Sequence, residues 1–215
     1  MIPLLHDFEG ETVLVFGGGS VGARKARRFA REARVVVVSP EFADTDFGDS
    51  ELVCGAPTPD DVPEWFDRTD PALVVAATND EALNDRVEET ARERGALLNR
   101  ADQHGERAVG SVVVPATVRD DPVVTAVATG GASPAVSRYL RQQIETEIDD
   151  AGAMAELTGE LRAELQAEGV GPAQRRDAVR AVVRSDAVWK ALDSGIPKAR
   201  QVAADVISDV TGETP

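Results

Sequence analysis

Cysteine, histidine, aromatic side chains and positive charge are all scarce in this chain, and each shortage removes a class of function. Cys54 is the single cysteine, so an intrachain disulfide and a thiolate metal cluster are both excluded, and a reducing, cytoplasmic setting is expected. His6 and His104 are the only imidazoles, and their separation gives no transition-metal spacing, so no metal site is expected. Aromatics make up 4% of a chain that is 42% hydrophobic, so the core must be built from Val, Ala and Leu. Lys and Arg total 23 against 38 Asp and Glu, a net charge of −15 that argues against nucleic acid or an anionic membrane as partner. That balance suits a soluble protein working at high salt, where self-repulsion is screened. No apolar run approaches the ~20 residues of a membrane span. The N-terminus, MIPLLHDFEGE, has neither the basic start nor the apolar centre of a signal peptide.

What is present is concentrated near the N-terminus. In TVLVFGGGSVGARKARR a short β-branched run ends in Gly17-Gly18-Gly19-Ser20-Val21-Gly22 and a helical pattern follows at once. Strand, glycine turn and helix form the context in which G-x-G-x-x-G reads as a dinucleotide site. Gly17 permits the sharp turn, Gly19 the close approach of a pyrophosphate, and Gly22 the packing of helix on strand. The helix N-terminus offers unpaired N–H groups to the anion.

The 215 residues suit one nucleotide-binding domain with a smaller helical part. Strands are expected at 12–16, 35–39, 73–77 and 96–99, with a weaker one at 52–54; several are continuous apolar runs, as parallel strands covered on both faces require. Helices are expected at 20–33 and 80–94, giving an α/β, Rossmann-type parallel sheet over residues 1–114. Strands at 111–114 and 123–129, separated by a charged turn at 119–122, lead to a helix ending near 149. From 151 to 215 the chain reads as helical, with breaks at 169–172 and 195–197.

Candidate site residues cluster at strand ends. Ser39, Pro40 and Glu41 follow the second strand, where an acid holding an adenosine ribose is expected, and the lack of an arginine there favours NAD over NADP. Thr78 and Asn79 follow the strand at 73–77, where they can hydrogen-bond a ligand or merely cap a helix. Asp102 follows the fifth, placed to take a proton beside a nicotinamide; a surface-loop aspartate is the bland alternative. His104 could assist it or sit in an exposed loop. Arg24 and Lys25 open a run of six basic residues, with Arg27, Arg28, Arg31 and Arg34, that is either a solvated face or a phosphate or polycarboxylate grip. Thr129, Gly130, Gly131 and Ser133 precede Pro134; the helix cap explains Ser133, whereas the paired glycines suggest N–H groups open to an anion.

Together VLVFGGGSVGARKARR, VVAATND, LLNRAD and VVTAVATGGASPAVSRYLRQQIE resemble the sirohaem synthase dehydrogenase/ferrochelatase family. The resemblance implies NAD-dependent oxidation of precorrin-2 to sirohydrochlorin, with insertion of ferrous iron (Fe2+) in some members. It implies a Rossmann domain (1–114), a dimerisation region (115–150), a helical C-terminal domain (151–215) and a homodimer. The family's proton-transfer aspartate falls on Asp102, its cofactor loop on 17–22 with Ser20 and Val21 facing the cofactor, and its S-S-G-G-x-S-P element on 128–134. Arg24, Lys25, Thr129, Gly130, Gly131, Ser133 and Arg138 are then candidates for the substrate carboxylates. Gln103-His104-Gly105-Glu106-Arg107 departs from the family pattern and bears on iron insertion more than on oxidation. The rival reading is a non-catalytic NAD-binding sensor, which leaves Asp102 and the 130–134 turn without a role.

Overall fold

The computed structural model describes residues 2–102 and 111–211. The chain folds as two compact units, Met1–Val114 and Pro115–Pro215. The first holds five parallel strands, β1 (Thr12–Phe16), β2 (Arg34–Ser39), β3 (Ser50–Cys54), β4 (Leu73–Ala76) and β5 (Leu97–Arg100), ordered β3-β2-β1-β4-β5. Side-chain alternation sends each central strand into two cores. Val13, Val15, Val35, Val37, Leu73 and Val75 meet Ala23 and Ala26 of α1 (Ser20–Phe29) on one face. Leu14, Phe16, Val36, Val38, Val74 and Ala76 meet α2 (Val62–Thr69) and α3 (Glu81–Arg94) on the other. Burying each such Val contributes about 1.5–3 kcal/mol, so continuous apolar runs are what a doubly covered strand demands. This is the Rossmann-type α/β sheet, with its strand order reversing beside β1, where ligands bind outside the carboxyl ends.

Several elements differ from the sequence reading. α1 stops at Phe29 rather than 33, because the Arg34 N–H bonds the Glu11 carbonyl and starts β2 there. Phe29, Ala30 and Ala33 still pack on the α1-side core. α2 and the 3₁₀ turn before it, Pro59–Asp61, come from a signal that the apolar pattern hides. Thr58 and Asp61 form a capping box, with Pro59 and Pro63 at helix-start positions. Residues 111–114 are not a strand; only Ser111 makes a parallel bridge, to Leu98.

The hairpin opening the second unit pairs β6 (Ala116–Asp120) with β7 (Val123–Val127) antiparallel. Arg119 and Asp120 therefore lie in the strand rather than in a turn, and only Asp121-Pro122 connects the pair. Polar residues are tolerated there because a two-stranded sheet leaves much of its surface in water, and Val118 is the one β6 residue that is buried. Helices α4 (Pro134–Glu147), α5 (Ala151–Ala167), α6 (Pro172–Val183), α7 (Asp186–Leu192) and α8 (Ile196–Thr211) follow. Met154, Leu157, Leu161, Val182, Val188, Leu192, Ala199 and Ala203 make a separate core for α5–α8. A further break occurs at Arg184-Ser185, where the Ser185 hydroxyl accepts from the Val188 N–H and caps α7. Among the described residues no helix is long and apolar enough to cross a membrane.

Candidate cofactor and catalytic site

The glycine turn is fixed by close backbone approach. Gly17 has φ +117° and donates its N–H to the Val38 carbonyl at 3.0 Å; a Cβ there would strike the Ala77 carbonyl. A Cβ at Gly22 would overlap the Gly17 carbonyl, so α1 could not lie on β1 with any other residue. Gly18 is pressed against the Glu41 carbonyl and Ser39, which brings residues 39–41 beside the turn. Through Ala77 and the Thr78 N–H, the end of β4 joins them.

Gly19 differs from these. It caps α1 without a side-chain bond, the first turn of α1 carries no acid, and a Cβ on Gly19 would meet nothing within 4 Å. The protein's own described atoms do not require glycine there, whereas a pyrophosphate laid on the helix N-terminus does. The residues present therefore fit a dinucleotide. Ser20, Pro40, Glu41 and Asn79 are exposed, Val21 and Thr78 half-buried and Ser39 buried.

Thr78 is already engaged. Its hydroxyl donates to Asn84 Oδ1 at 2.7 Å, and its carbonyl accepts from Asn84 Nδ2 at 2.9 Å. The same Nδ2 donates to Asp102 Oδ2 at 3.2 Å. Asp102 leaves the end of β5, where Arg100 donates through Nε to Oδ1 at 2.9 Å and through a terminal nitrogen to Oδ2 at 2.7 Å. Arg100 is 4% exposed along its side chain and also bonds Asp85 and Glu88 of α3. Its hydrogen bonds hold the Asp102 carboxyl below the usual carboxylate range, outweighing desolvation, and Asp102 in turn raises the Arg100 guanidinium. Asp102, with 26% of its side chain exposed, is thus a fixed anion at the strand ends that carry the glycine turn.

Sequence reasoning misses Asn84, Arg100 and Glu88 as members of the site. Their signal is an arginine two residues before Asp102, with acids at 85 and 88 one helical turn apart facing the same strand end. His104 and the rest of 103–107 lie outside the described residues. His6 packs on Phe8 with ring centroids 4.3 Å apart. α1 carries Arg24, Lys25, Arg27 and Arg28, while Arg31 lies past its end and Arg34 opens β2. Arg27 pairs with Asp46 at 3.7 Å and Arg34 with Glu51 at 2.8 Å, exposed pairs worth ~0–1 kcal/mol.

The remaining candidates belong to the second unit. Thr129 Oγ1 donates to the Ser133 carbonyl at 3.1 Å and accepts from the Ser133 N–H at 3.3 Å, closing the turn. Ser133 caps α4 by accepting from the Val136 N–H. Gly130 and Gly131 have φ of +65° and +90°, so the turn's own conformation calls for glycine at both. Arg138 is exposed on α4. Among the described residues, no group of three His, Cys, Asp or Glu side chains is placed to hold a metal ion.

Residues 4–116 match an NAD(P)-binding family model. Across 214 residues the chain is 33% identical to the precorrin-2 dehydrogenase of Methanosarcina barkeri, spanning 96% of this chain and 93% of that one. The chain belongs to the precorrin-2 dehydrogenase and sirohaem synthase family. A second member, the sirohaem synthase of Stutzerimonas stutzeri, is 33% identical over 216 residues, which make up 97% of this chain but 44% of the longer synthase. The solved structure of SirC, precorrin-2 dehydrogenase, superposes with a TM-score of 0.70 at 19% identity, covering 99% of this chain and 100% of that one; it shares the fold. The NAD(P)-binding match falls almost wholly within the first unit, and the resemblance to the sirohaem synthase family holds.

Proposed function

We propose that this chain oxidises precorrin-2 to sirohydrochlorin with NAD in sirohaem biosynthesis. The observation that carries the reading is the Asp102 carboxylate, clamped by Arg100 and Asn84 at the strand ends that carry an uncapped, acid-free helix N-terminus. Residues 17–22 would hold the pyrophosphate, and Ser39, Pro40 and Glu41 the adenosine ribose; Thr78 and Asn79 would border the nicotinamide half. The exposed Glu41 carboxylate suits a free ribose 2′-hydroxyl and opposes a 2′-phosphate, which supports NAD over NADP. When bound, the cofactor supplies a hydride acceptor.

Asp102 faces the positive charge that builds on the tetrapyrrole as hydride departs, and then takes the proton at its carboxylate. Held below the usual carboxylate range by Arg100, the group is ionised at neutral pH and open to a proton. Arg24, Lys25, the 129–133 turn and Arg138 are the positions proposed to meet substrate carboxylates. The free, exposed Cys54 thiol and an intracellular cofactor suit the cytoplasm. Ferrous iron, as a second substrate, is tested by adding Fe2+ once oxidation is complete.

The test replaces Asp102 by Ala. Turnover of precorrin-2 should fall ~10²–10³-fold while the Kd for NAD moves less than about threefold. Equal losses in both would reduce Asp102 to a structural role.

A further inference from the structure

We infer that Asn84 is a positioning residue: buried on α3, it locks the Asp102 carboxylate to the Thr78 loop beside the dinucleotide turn, so that both meet a ligand as one rigid unit. The inference rests on the reading of Asp102 given above. Asn84 is 1% exposed, and its amide is used in full. Oδ1 accepts from the Thr78 hydroxyl at 2.7 Å and from the Thr78 N–H at 3.4 Å; Nδ2 donates to the Thr78 carbonyl at 2.9 Å and to Asp102 Oδ2 at 3.2 Å. A residue that only closed the loop after β4 would need the Thr78 bonds alone. The fourth bond crosses to another strand end and serves the carboxylate.

The chemistry specifies an amide. Two acceptors, the Thr78 carbonyl and Asp102 Oδ2, face Nδ2, so a carboxylate of the same shape would put oxygen against oxygen. Thr78 itself follows Ala77, whose carbonyl abuts Gly17, so displacement of the cofactor turn reaches Asp102 through one side chain. Among the described residues, the charged groups around Asp102 are Arg100 from β5 and, through Arg100, Asp85 and Glu88 from α3. Arg100 neutralises the carboxylate, and Asn84 sets which way it points.

Asn84→Asp and Asn84→Ala in the full chain separate this from a purely structural role. Each folded variant is read by the ¹³C carboxyl titration of Asp102, by NAD binding, and by turnover. Asn84→Asp should raise the Asp102 midpoint by about one pH unit or more and Asn84→Ala by roughly half a unit, because a repelling charge outweighs a lost hydrogen bond. In both, kcat should fall at least about tenfold, and by a clearly larger factor than the NAD Kd rises. Asn84→Asp alone should regain turnover on acidification, when a shared proton restores the donor. Asp102 titrations that superimpose on wild type, or turnover losses matched by losses of NAD affinity, would overturn the inference. A wild-type protein inert toward precorrin-2 would sink the functional reading instead, and the titration would still decide the role of Asn84.

Discussion

Arg100 is the residue on which the candidate site depends most. It lies at the end of β5 almost out of water and bonds three carboxylates, so removing it takes the counter-charge from Asp102, while Glu88 keeps its pair with Arg92. Arg100→Ala should cost about 3 kcal/mol in denaturant unfolding. The pH dependence has a definite sign. The folded-state Asp102 carboxyl is depressed, so the pair contributes fully above the ordinary carboxylate range near pH 4 and fades as pH falls through the depressed value. The gap between wild type and Arg100→Ala should therefore be widest at neutral pH and shrink in acid. A gap independent of pH would remove the ion pair from the account. Asp102 itself was legible, because an acid following an apolar strand end stands out in one dimension. Its surroundings were not, because Asn84 reaches it, and Glu88 reaches its partner Arg100, from a helix that sequence spacing alone cannot aim.

At the level of elements, two glycines of the same turn make opposite demands. Gly22→Ala forces a Cβ into a backbone carbonyl that cannot yield, and should cost about 2 kcal/mol or more. Gly19→Ala points into open space. It should change stability by no more than about 1 kcal/mol yet weaken NAD binding roughly tenfold, which calorimetry and ligand titration would resolve. Equal behaviour of the two variants would contradict the assignment of Gly19 to the ligand. The strands β1, β2 and β4 could be read directly because burial on both faces leaves unbroken Val and Leu runs. β3 read weakly because it is an edge strand with a mostly exposed pattern. α2 was hidden behind two prolines that mark a helix start rather than a loop, and the hairpin was displaced because Arg119 and Asp120 look like turn residues but tolerate a half-wet strand.

For the whole molecule, two features set its behaviour in solution. α4 buries none of its residues, and Val136, Tyr139 and Leu140 form an apolar stripe at helical spacing, with Tyr139 59% exposed. We propose that the chain pairs with a second copy of itself through this stripe, aromatic anchors being the usual centres of such interfaces. Tyr139→Glu with Leu140→Glu should yield a folded monomer in sedimentation, whereas an unchanged mass would move the contact elsewhere. The net charge of −15 predicts that melting temperature rises between 0.1 and 1 M KCl, as the screening length shortens from ~10 to ~3 Å. A flat response would show that the acidic surface is balanced locally.

The most direct measurement mixes the purified wild-type chain with precorrin-2 and NAD and follows both products. One NADH should appear for each sirohydrochlorin formed, and NADP should support the reaction far less well. NAD that binds to the chain while precorrin-2 stays unoxidised would contradict the account.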